Sequence, residues 1–131
     1  MVKIKMENVN PKNRKTADCV IRAITKASGK DYWRVAEDLF NMQRLTGYML
    51  NEKRCYEKLL EQYGFVKRSQ PRKFDNTKYL AGEINQVCDK AAVISVANHL
   101  TYYDGDCIVD IWDCRHKTIG NYWVKYEKDS R

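Results

Sequence analysis

The chain contains no run of 18 uninterrupted apolar residues, so the sequence predicts no membrane-spanning helix. Its first fifteen residues, MVKIKMENVNPKNRK, lack the apolar core that a signal peptide needs, and we expect no export signal. Internal repeats, linkers and low-complexity segments are also absent. With 131 residues, 44% of them hydrophobic and 31% charged, the composition predicts one globular domain over residues 1–131, and we expect it in the cytoplasm.

Paired cysteine motifs are missing too. The five cysteines are an odd number and none forms a Cys-x-x-Cys motif, so without an export signal we expect them to be reduced. Cys107, Cys114 and His116 have a spacing that matches no common zinc site. We therefore predict neither a metal nor another cofactor. Cys55 and Cys88 fall on apolar faces of predicted helices and are interpreted as small core residues.

The formal net charge of +7 comes from 24 basic and 17 acidic residues that are spread along the chain. The one local cluster is KRSQPRK, residues 67–73, which contains Pro71 and is typical of a solvated loop. An acidic protein or a nucleic acid is the kind of partner that a positive charge attracts. Nucleic-acid binding is kept as an alternative that the charge alone does not favour.

Helical periodicity follows an N-terminal segment, residues 1–15, that is predicted to be irregular. In three successive segments, apolar residues recur at intervals of three and four positions between capping residues and glycines. The predicted buried stripes are Val20, Ala23, Ile24 and Ala27 in the first helix, Tyr32, Val35, Ala36, Leu39 and Phe40 in the second, and Cys55, Leu59, Leu60 and Tyr63 in the third. A shorter helix is predicted over 76–89.

The pattern changes to that of β-strands in the last third of the chain. The segments 91–103, 106–112 and 121–127 are rich in β-branched and aromatic residues and predict three strands. Asp104 and Gly105 lie between the first two segments and are a strong signal for a two-residue hairpin turn, which needs positive φ. Helices followed by an antiparallel sheet predict an α+β domain.

The predicted hairpin places a histidine opposite a carboxylate. With Asp104 and Gly105 as the turn, His99 falls directly opposite Asp110, and opposed side chains share a face with Cβ atoms about 4.5–5.5 Å apart. A carboxylate that accepts a hydrogen bond from one ring nitrogen fixes the tautomer and stabilises the imidazolium. Asp113 points to the other face in this register, and is the alternative orienting residue if a bulge shifts the strand.

A matching thiol lies at the start of the first helix. Cys19 precedes the apolar stripe by one position, and the positive end of the helix dipole and the free N–H groups there favour a thiolate. Cys19, His99 and Asp110 are therefore candidates for a nucleophile, a base and an orienting group. Asn13, six positions before Cys19, is a candidate donor to an oxyanion, with a loop-forming asparagine as the equal alternative.

This combination resembles the papain-like cysteine peptidases, which have an amide residue six positions before a cysteine that opens a helix. They also carry a histidine on a later strand and an Asp or Asn on the next. Trp112, two residues after Asp110, is similar to the tryptophan near the Asn or Asp of that family. The chain's size and the choice of Asp resemble the bacteriocin-processing branch. ADCVIRAITKASGKDY and DGDCIVDIWDCR resemble small papain-like proteins of bacteriophages and their Gram-positive hosts.

The resemblance implies a thiol-dependent hydrolase, a peptidase or an isopeptidase or amidase, that acts on a protein or peptide through an acyl-enzyme. It also implies that the helix carrying Cys19 packs on the C-terminal antiparallel sheet. The family usually has Gln where this chain has Asn13, and the side chain of Asn is shorter by one methylene. The alternative from another class is a non-catalytic binding protein of the same architecture, such as a phage-type inhibitor of a host protein.

Overall fold

The computed structural model describes residues 1–127, which form an α+β domain with one six-stranded sheet. The helices are α1 (Cys19–Ser28), α2 (Tyr32–Thr46), α3 (Lys53–Gln62) and a 3₁₀-helix (Ala81–Gln86). The strands are β1 (Lys3–Met6), β2 (Phe65–Arg68), β3 (Ala92–Val96), β4 (His99–Tyr103), β5 (Cys107–Asp110) and β6 (Tyr122–Lys125). Within these residues, no helix has the length and apolar character needed to cross a membrane.

The sheet is mixed, with the strand order β1-β5-β4-β3-β6-β2. β1 runs parallel to β5, whereas the other neighbours pair antiparallel. The expectation of a purely antiparallel, C-terminal sheet is therefore wrong, and so is that of an irregular segment over 1–15, because this segment contains β1. Only Ile4 of β1 is partly buried, so the strand has no apolar alternation that a sequence pattern could reveal.

Each face of the sheet has its own hydrophobic core. Neighbouring residues of a strand point to opposite faces, and Val93 accordingly packs with the helices while Ile94 packs on the other side. The largest fully buried side chains of the helical core are Ile24, Leu39, Leu59, Leu60, Leu100 and Trp123. The second core lies beneath the 3₁₀-helix and includes Ile84, Ile94, Ile108 and Ile119. α1 packs directly on β4, which brings the start of this helix close to the start of the strand.

Glycines end α1 and α2, and an aspartate caps the start of α2. Gly29 and Gly47 adopt left-handed conformations with φ of 72° and 80° after α1 and α2, and their N–H groups close the last turns. The Asp31 carboxylate caps α2 by accepting hydrogen bonds from the backbone N–H groups of Trp33 and Arg34. The helix predicted over 76–89 is a shorter 3₁₀-helix.

Two hairpins determine where the functional side chains lie. The predicted strand over 91–103 is broken by a turn at Asn98, whose φ of 55° lets β3 and β4 pair with each other. In the next hairpin Tyr103 pairs with Ile108, so the loop between them has four residues rather than the predicted two. The predicted register of β4 and β5 is therefore wrong by two positions. Since side chains alternate with a period of two, His99 and Asp110 still share a face as diagonal neighbours.

Phe40, one of the residues predicted in the buried stripe of α2, lies on its exposed face. Phe40 was expected in the buried stripe but is 51% exposed, whereas the adjacent Leu39 is completely buried. Helical geometry explains the difference, because the core contacts of α2 follow Val35 and Leu39, and Phe40 lies about 100° further round the helix.

We expect Leu39→Ala to lower the free energy of unfolding by about 2–5 kcal/mol, because it leaves a cavity in the helical core. Phe40→Ala, its neighbour on the same helix, should lower it by less than about 1 kcal/mol. Urea denaturation followed by circular dichroism measures both. Equal losses for the two variants would contradict the orientation of α2 described above.

Candidate active site

Cys19 is the first residue of α1 and lies half-buried in the wall of an open cavity of about 770 Å³. The residue before it, Asp18, makes no capping hydrogen bond with its side chain. The first-turn N–H groups of α1, including that of Cys19, therefore remain available to a ligand in the cavity. A helix N-terminus of this kind favours negative charge on the sulfur.

His99 connects the thiol to a buried carboxylate. Its Nε2 lies 2.6 Å from Asp110 Oδ2, and only 7% of the His99 side chain and 1% of the Asp110 side chain are exposed. The Cys19 thiol lies beside the same ring, since each of the two groups shifts the pKa of the other and both line the cavity. The structure thus brings Cys19, His99 and Asp110 together in that order, although these residues are far apart in the sequence.

Asp110 is held by several donors at once. The Thr101 hydroxyl donates to Oδ2 at 2.6 Å, and the backbone N–H of Ile111 donates to Oδ1 at 2.7 Å. Oδ1 also accepts a hydrogen bond from Arg22 Nη1 at 3.0 Å. A carboxylate with these four partners, His99 included, has a fixed orientation and can hold the imidazole in one tautomer.

The charges of the three groups support one another. Burial disfavours the imidazolium, but hydrogen bonds to Asp110, Cys114 and Cys19 outweigh it and raise the pKa of His99 to about 11. Burial likewise opposes ionisation of Asp110, yet hydrogen bonds from His99 and Thr101 lower its pKa to about 2. For Cys19 burial raises the thiol pKa, and the hydrogen bond with His99 contributes most to the opposite effect, so that the pKa is lowered overall. These directions favour a thiolate–imidazolium pair.

Behind Asp110 lies a buried arginine that sequence analysis missed. Arg22 Nη1 donates to Asp110, and its Nε donates to Asp18 Oδ1 at 2.7 Å, with the Arg22 side chain only 7% exposed. Asp18 Oδ2 in turn accepts from the Tyr32 hydroxyl at 2.7 Å and from Asn10 Nδ2 at 3.0 Å. The spacing of four between Asp18 and Arg22 was the available signal, but such pairs are usually exposed on a helix surface.

Trp112 covers the histidine from outside. Its ring centroid lies 4.8 Å from that of His99, at an interplanar angle of 60°, and the side chain forms part of the cavity wall. Close aromatic contact removes water from one face of the imidazole, which strengthens the hydrogen bond between His99 and Asp110.

Two predicted candidates lie elsewhere. Asn13 is exposed in a left-handed conformation with φ of 53° and is not among the residues lining this cavity, so the structure does not bring it to Cys19. Asp113, the alternative to Asp110, is exposed and binds the guanidinium of Arg115 at 2.8 Å through both carboxylate oxygens. No bulge shifts β5 toward it, because Asp110 itself reaches His99.

Cys107, Cys114 and His116, whose spacing did not favour a metal site, are not the potential ligands that the fold brings together. Among residues 1–127, the potential metal ligands that converge are His99, Asp110 and Cys114, with donor atoms within 4.8 Å of one another. The Asp110 carboxylate already has five hydrogen-bonding or ionic contacts, one from the buried cation of Arg22 and one from the Cys114 thiol at 3.7 Å. A metal ion would have to displace these donors and lie near a positive charge, so the group fits a hydrogen-bonded triad better than a metal centre.

Comparison of the chain with protein-family models, curated proteins and solved structures finds no match in any of the three. The arrangement of side chains therefore has to carry the functional argument.

We expect Arg22→Met to lower the free energy of unfolding by about 3–5 kcal/mol at neutral pH, because it leaves two buried carboxylates without their shared cation. The exposed pair Arg34 and Asp38, also four residues apart, is the matched control, and Arg34→Met should cost less than about 1 kcal/mol. Urea denaturation measures both variants. Similar losses for the two variants would contradict a structural role of the buried arginine.

The loss caused by Arg22→Met should depend on pH. The pKa of Asp110 is about 2 in the folded protein, below its ordinary value of 3.8, so its ionisation stabilises the fold above about pH 4 and ceases to do so as the pH falls toward 2. Arg22 contacts Asp110 and lowers the pKa of Asp18, so without it the buried carboxylates ionise less readily, and the difference in stability between parent and variant should shrink in acid. A difference that stays constant from pH 7 to pH 3 would contradict this.

Proposed function

We propose that the protein is a thiol-dependent hydrolase of papain-like architecture that cleaves a peptide or isopeptide bond. The observation that carries the proposal is the Cys19–His99–Asp110 array at the wall of an open cavity, with the thiol pKa lowered and the imidazole pKa raised. A nucleophile with its base, and a base with its orienting group, are the parts that acyl transfer needs.

In the proposed reaction, the Cys19 thiolate attacks the carbonyl carbon of the scissile bond, and the carbonyl π electrons move onto oxygen. We assign the stabilisation of this oxyanion to the backbone N–H of Cys19, which is the first residue of α1 and receives no capping hydrogen bond from the Asp18 side chain. As the C–N bond breaks, its electron pair takes the proton from His99, and the amine leaves a thioester on Cys19. Neutral His99 then removes a proton from water, the resulting hydroxide attacks the thioester, and the carboxylic acid leaves as the thiolate returns.

The order of elements supports the papain-like part of the proposal. A helix that begins with Cys19 packs on β4, which begins with His99, and the neighbouring β5 ends with Asp110. Trp112 beside His99 corresponds to the tryptophan of the resemblance noted above. The position of Asn13 outside the cavity is the main departure, and it leaves the oxyanion without the expected side-chain amide.

That departure favours the second candidate, a non-catalytic binding protein that uses the same cavity. Such a protein would retain the fold and the buried polar network while lacking a complete oxyanion site. A host protein is the partner that the resemblance to phage proteins suggests, and nucleic acid is the less favoured one. Reactivity of the thiol distinguishes the two candidates, because a binding protein has no need of an ionised Cys19.

We expect iodoacetamide to alkylate Cys19 rapidly at pH 5–6, and we expect His99→Ala to abolish this fast reaction. In the parent, the lowered thiol pKa increases the fraction of ionised sulfur at a given pH, and the thiolate is the form that iodoacetamide alkylates. In the variant both contributions of His99 are lost, and only the backbone hydrogen bond from Leu100 and the charge of Arg22 still oppose burial, so the thiol pKa should rise. Peptide mass mapping separates Cys19 from the other four cysteines. Slow labelling of the parent that follows an ordinary thiol titration would rule out the hydrolase.

We expect Asp110→Asn to slow alkylation at pH 6 by at least about tenfold. Without the carboxylate the imidazolium of His99 is less stable, so the pKa of Cys19 rises, and a rise of one in that pKa reduces the thiolate fraction about tenfold. Asp113→Asn is the matched control and should leave the rate unchanged, because Asp113 contacts Arg115 rather than His99. Circular dichroism would verify that both variants are folded. A larger effect of Asp113→Asn than of Asp110→Asn would show that Asp113, rather than Asp110, is the orienting residue.

A further inference from the structure

The cavity that holds Cys19 has a second wall of distinct chemistry. The N-terminal end of α3 lines it with Lys53 and Arg54, across from the start of α1. Apolar side chains, among them Val20, Val96 and Trp112, form the rest of the surface beside the triad. The cavity thus combines a reactive thiol, an apolar lining and two cations.

Lys53 has no anionic partner among residues 1–127. Its ammonium donates a hydrogen bond to Asn121 Oδ1 at 2.7 Å, and no described carboxylate lies within 4.0 Å of it. The side chain is half-buried, so it is only partly hydrated. Burial and the nearby charge of Lys67 lower its pKa, and the charge of Glu57 opposes them only in part.

The anionic residue beside these cations is already engaged. Glu52 Oε2 accepts a hydrogen bond from the backbone N–H of Met49 at 2.8 Å, and Oε1 is 3.5 Å from Arg54 Nη2. The Arg54 guanidinium lies over the ring of Tyr48, 3.9 Å from its centroid, which restrains its position without neutralising it. One carboxylate therefore faces two cations on this wall.

The helix dipole does not favour the position of the two cations, although Asn121 holds Lys53 and Tyr48 and Glu52 hold Arg54. The two cations are the first two residues of α3, where the helix dipole favours acidic side chains, and the first turn of α3 contains none. Positive charges at this end of a helix cost stability, so a bound anion is the better explanation for a half-buried lysine here.

We propose that Lys53 and Arg54 bind a carboxylate of the substrate, and that the protein acts on acidic peptides. This inference rests on the proposed function, because the thiol chemistry defines the ligand as an acyl compound. The carboxylate comes either from an Asp or Glu side chain or from a free C-terminus, since both present the same two oxygens to an ammonium and a guanidinium.

The test compares matched electrophilic peptides that alkylate Cys19. Chloroacetyl-Ala-Asp-Ala-amide and its Asn counterpart probe a side-chain carboxylate, and chloroacetyl-Ala-Ala with a free or an amidated C-terminus probes a terminal one. Acetyl-Asp-Ala-Ala-chloromethyl ketone and its Asn counterpart extend in the other direction from the thiol. The measured quantity is the ratio of second-order rate constants within each pair. A change in the thiol itself cancels from that ratio.

We expect the carboxylate member of at least one pair to react about fivefold faster at low ionic strength, as a single partly desolvated ion pair would produce. Lys53→Met should reduce that ratio to within about twofold of unity, and Arg54→Met should reduce it in part. Lys58→Met is the matched control, because Lys58 lies on the same helix but lines a different pocket, and it should leave the ratio unchanged. The pair that shows the preference identifies the source of the carboxylate.

Two results would overturn the inference while leaving the hydrolase intact. One is rapid alkylation by the neutral probes with no carboxylate preference in any pair. The other is a preference that Lys58→Met lowers as much as Lys53→Met does, which would indicate attraction by the overall charge of +7 rather than a site. Slow alkylation of Cys19 by iodoacetamide at pH 6 would instead contradict the proposed function. Urea midpoints of the variants exclude unfolding as the cause of a lost preference.

Discussion

The bridge from Arg22 to two buried carboxylates is the interaction on which the site depends. Asp18 and Asp110 come from the end of a loop and the end of a strand, and their like charges would repel each other without the guanidinium between them. With it, five groups form a row of alternating charge that runs from Asp18 through Arg22, Asp110 and His99 to Cys19. The row fixes α1 relative to β4 and β5 and orients the imidazole at the same time.

Burying such a row of charged groups costs free energy unless each group has all of its hydrogen-bond partners. The Tyr32 hydroxyl and the Asn10 amide complete the hydrogen bonds of Asp18, and Thr101 completes those of Asp110. The polar groups that surround the triad therefore come from the N-terminal loop, α2 and β4. The network connects elements that are distant in sequence, so the geometry of the site and the tertiary fold are formed together.

Much of this could be predicted from local patterns, and the failures have physical reasons. The helix start at Cys19 follows from periodicity, and the shared face of His99 and Asp110 follows from strand alternation, which a register error of two leaves intact. The partners of Arg22 could not be predicted, because an ion pair four residues apart gives no sign of burial. The position of Asn13 depends on its left-handed backbone conformation, with positive φ, and its spacing of six residues from Cys19 does not reveal that conformation.

The alternating row has a consequence for the timing of the proposed reaction. Part of what raises the pKa of His99 is its contact with Cys19, and the sulfur loses its charge when it bonds to the carbonyl carbon. The pKa of His99 then falls, and the imidazolium releases its proton more readily to the leaving amine. Once neutral, it stays neutral long enough to accept a proton from water. The covalent state of one sulfur atom thereby switches the neighbouring base between its two tasks.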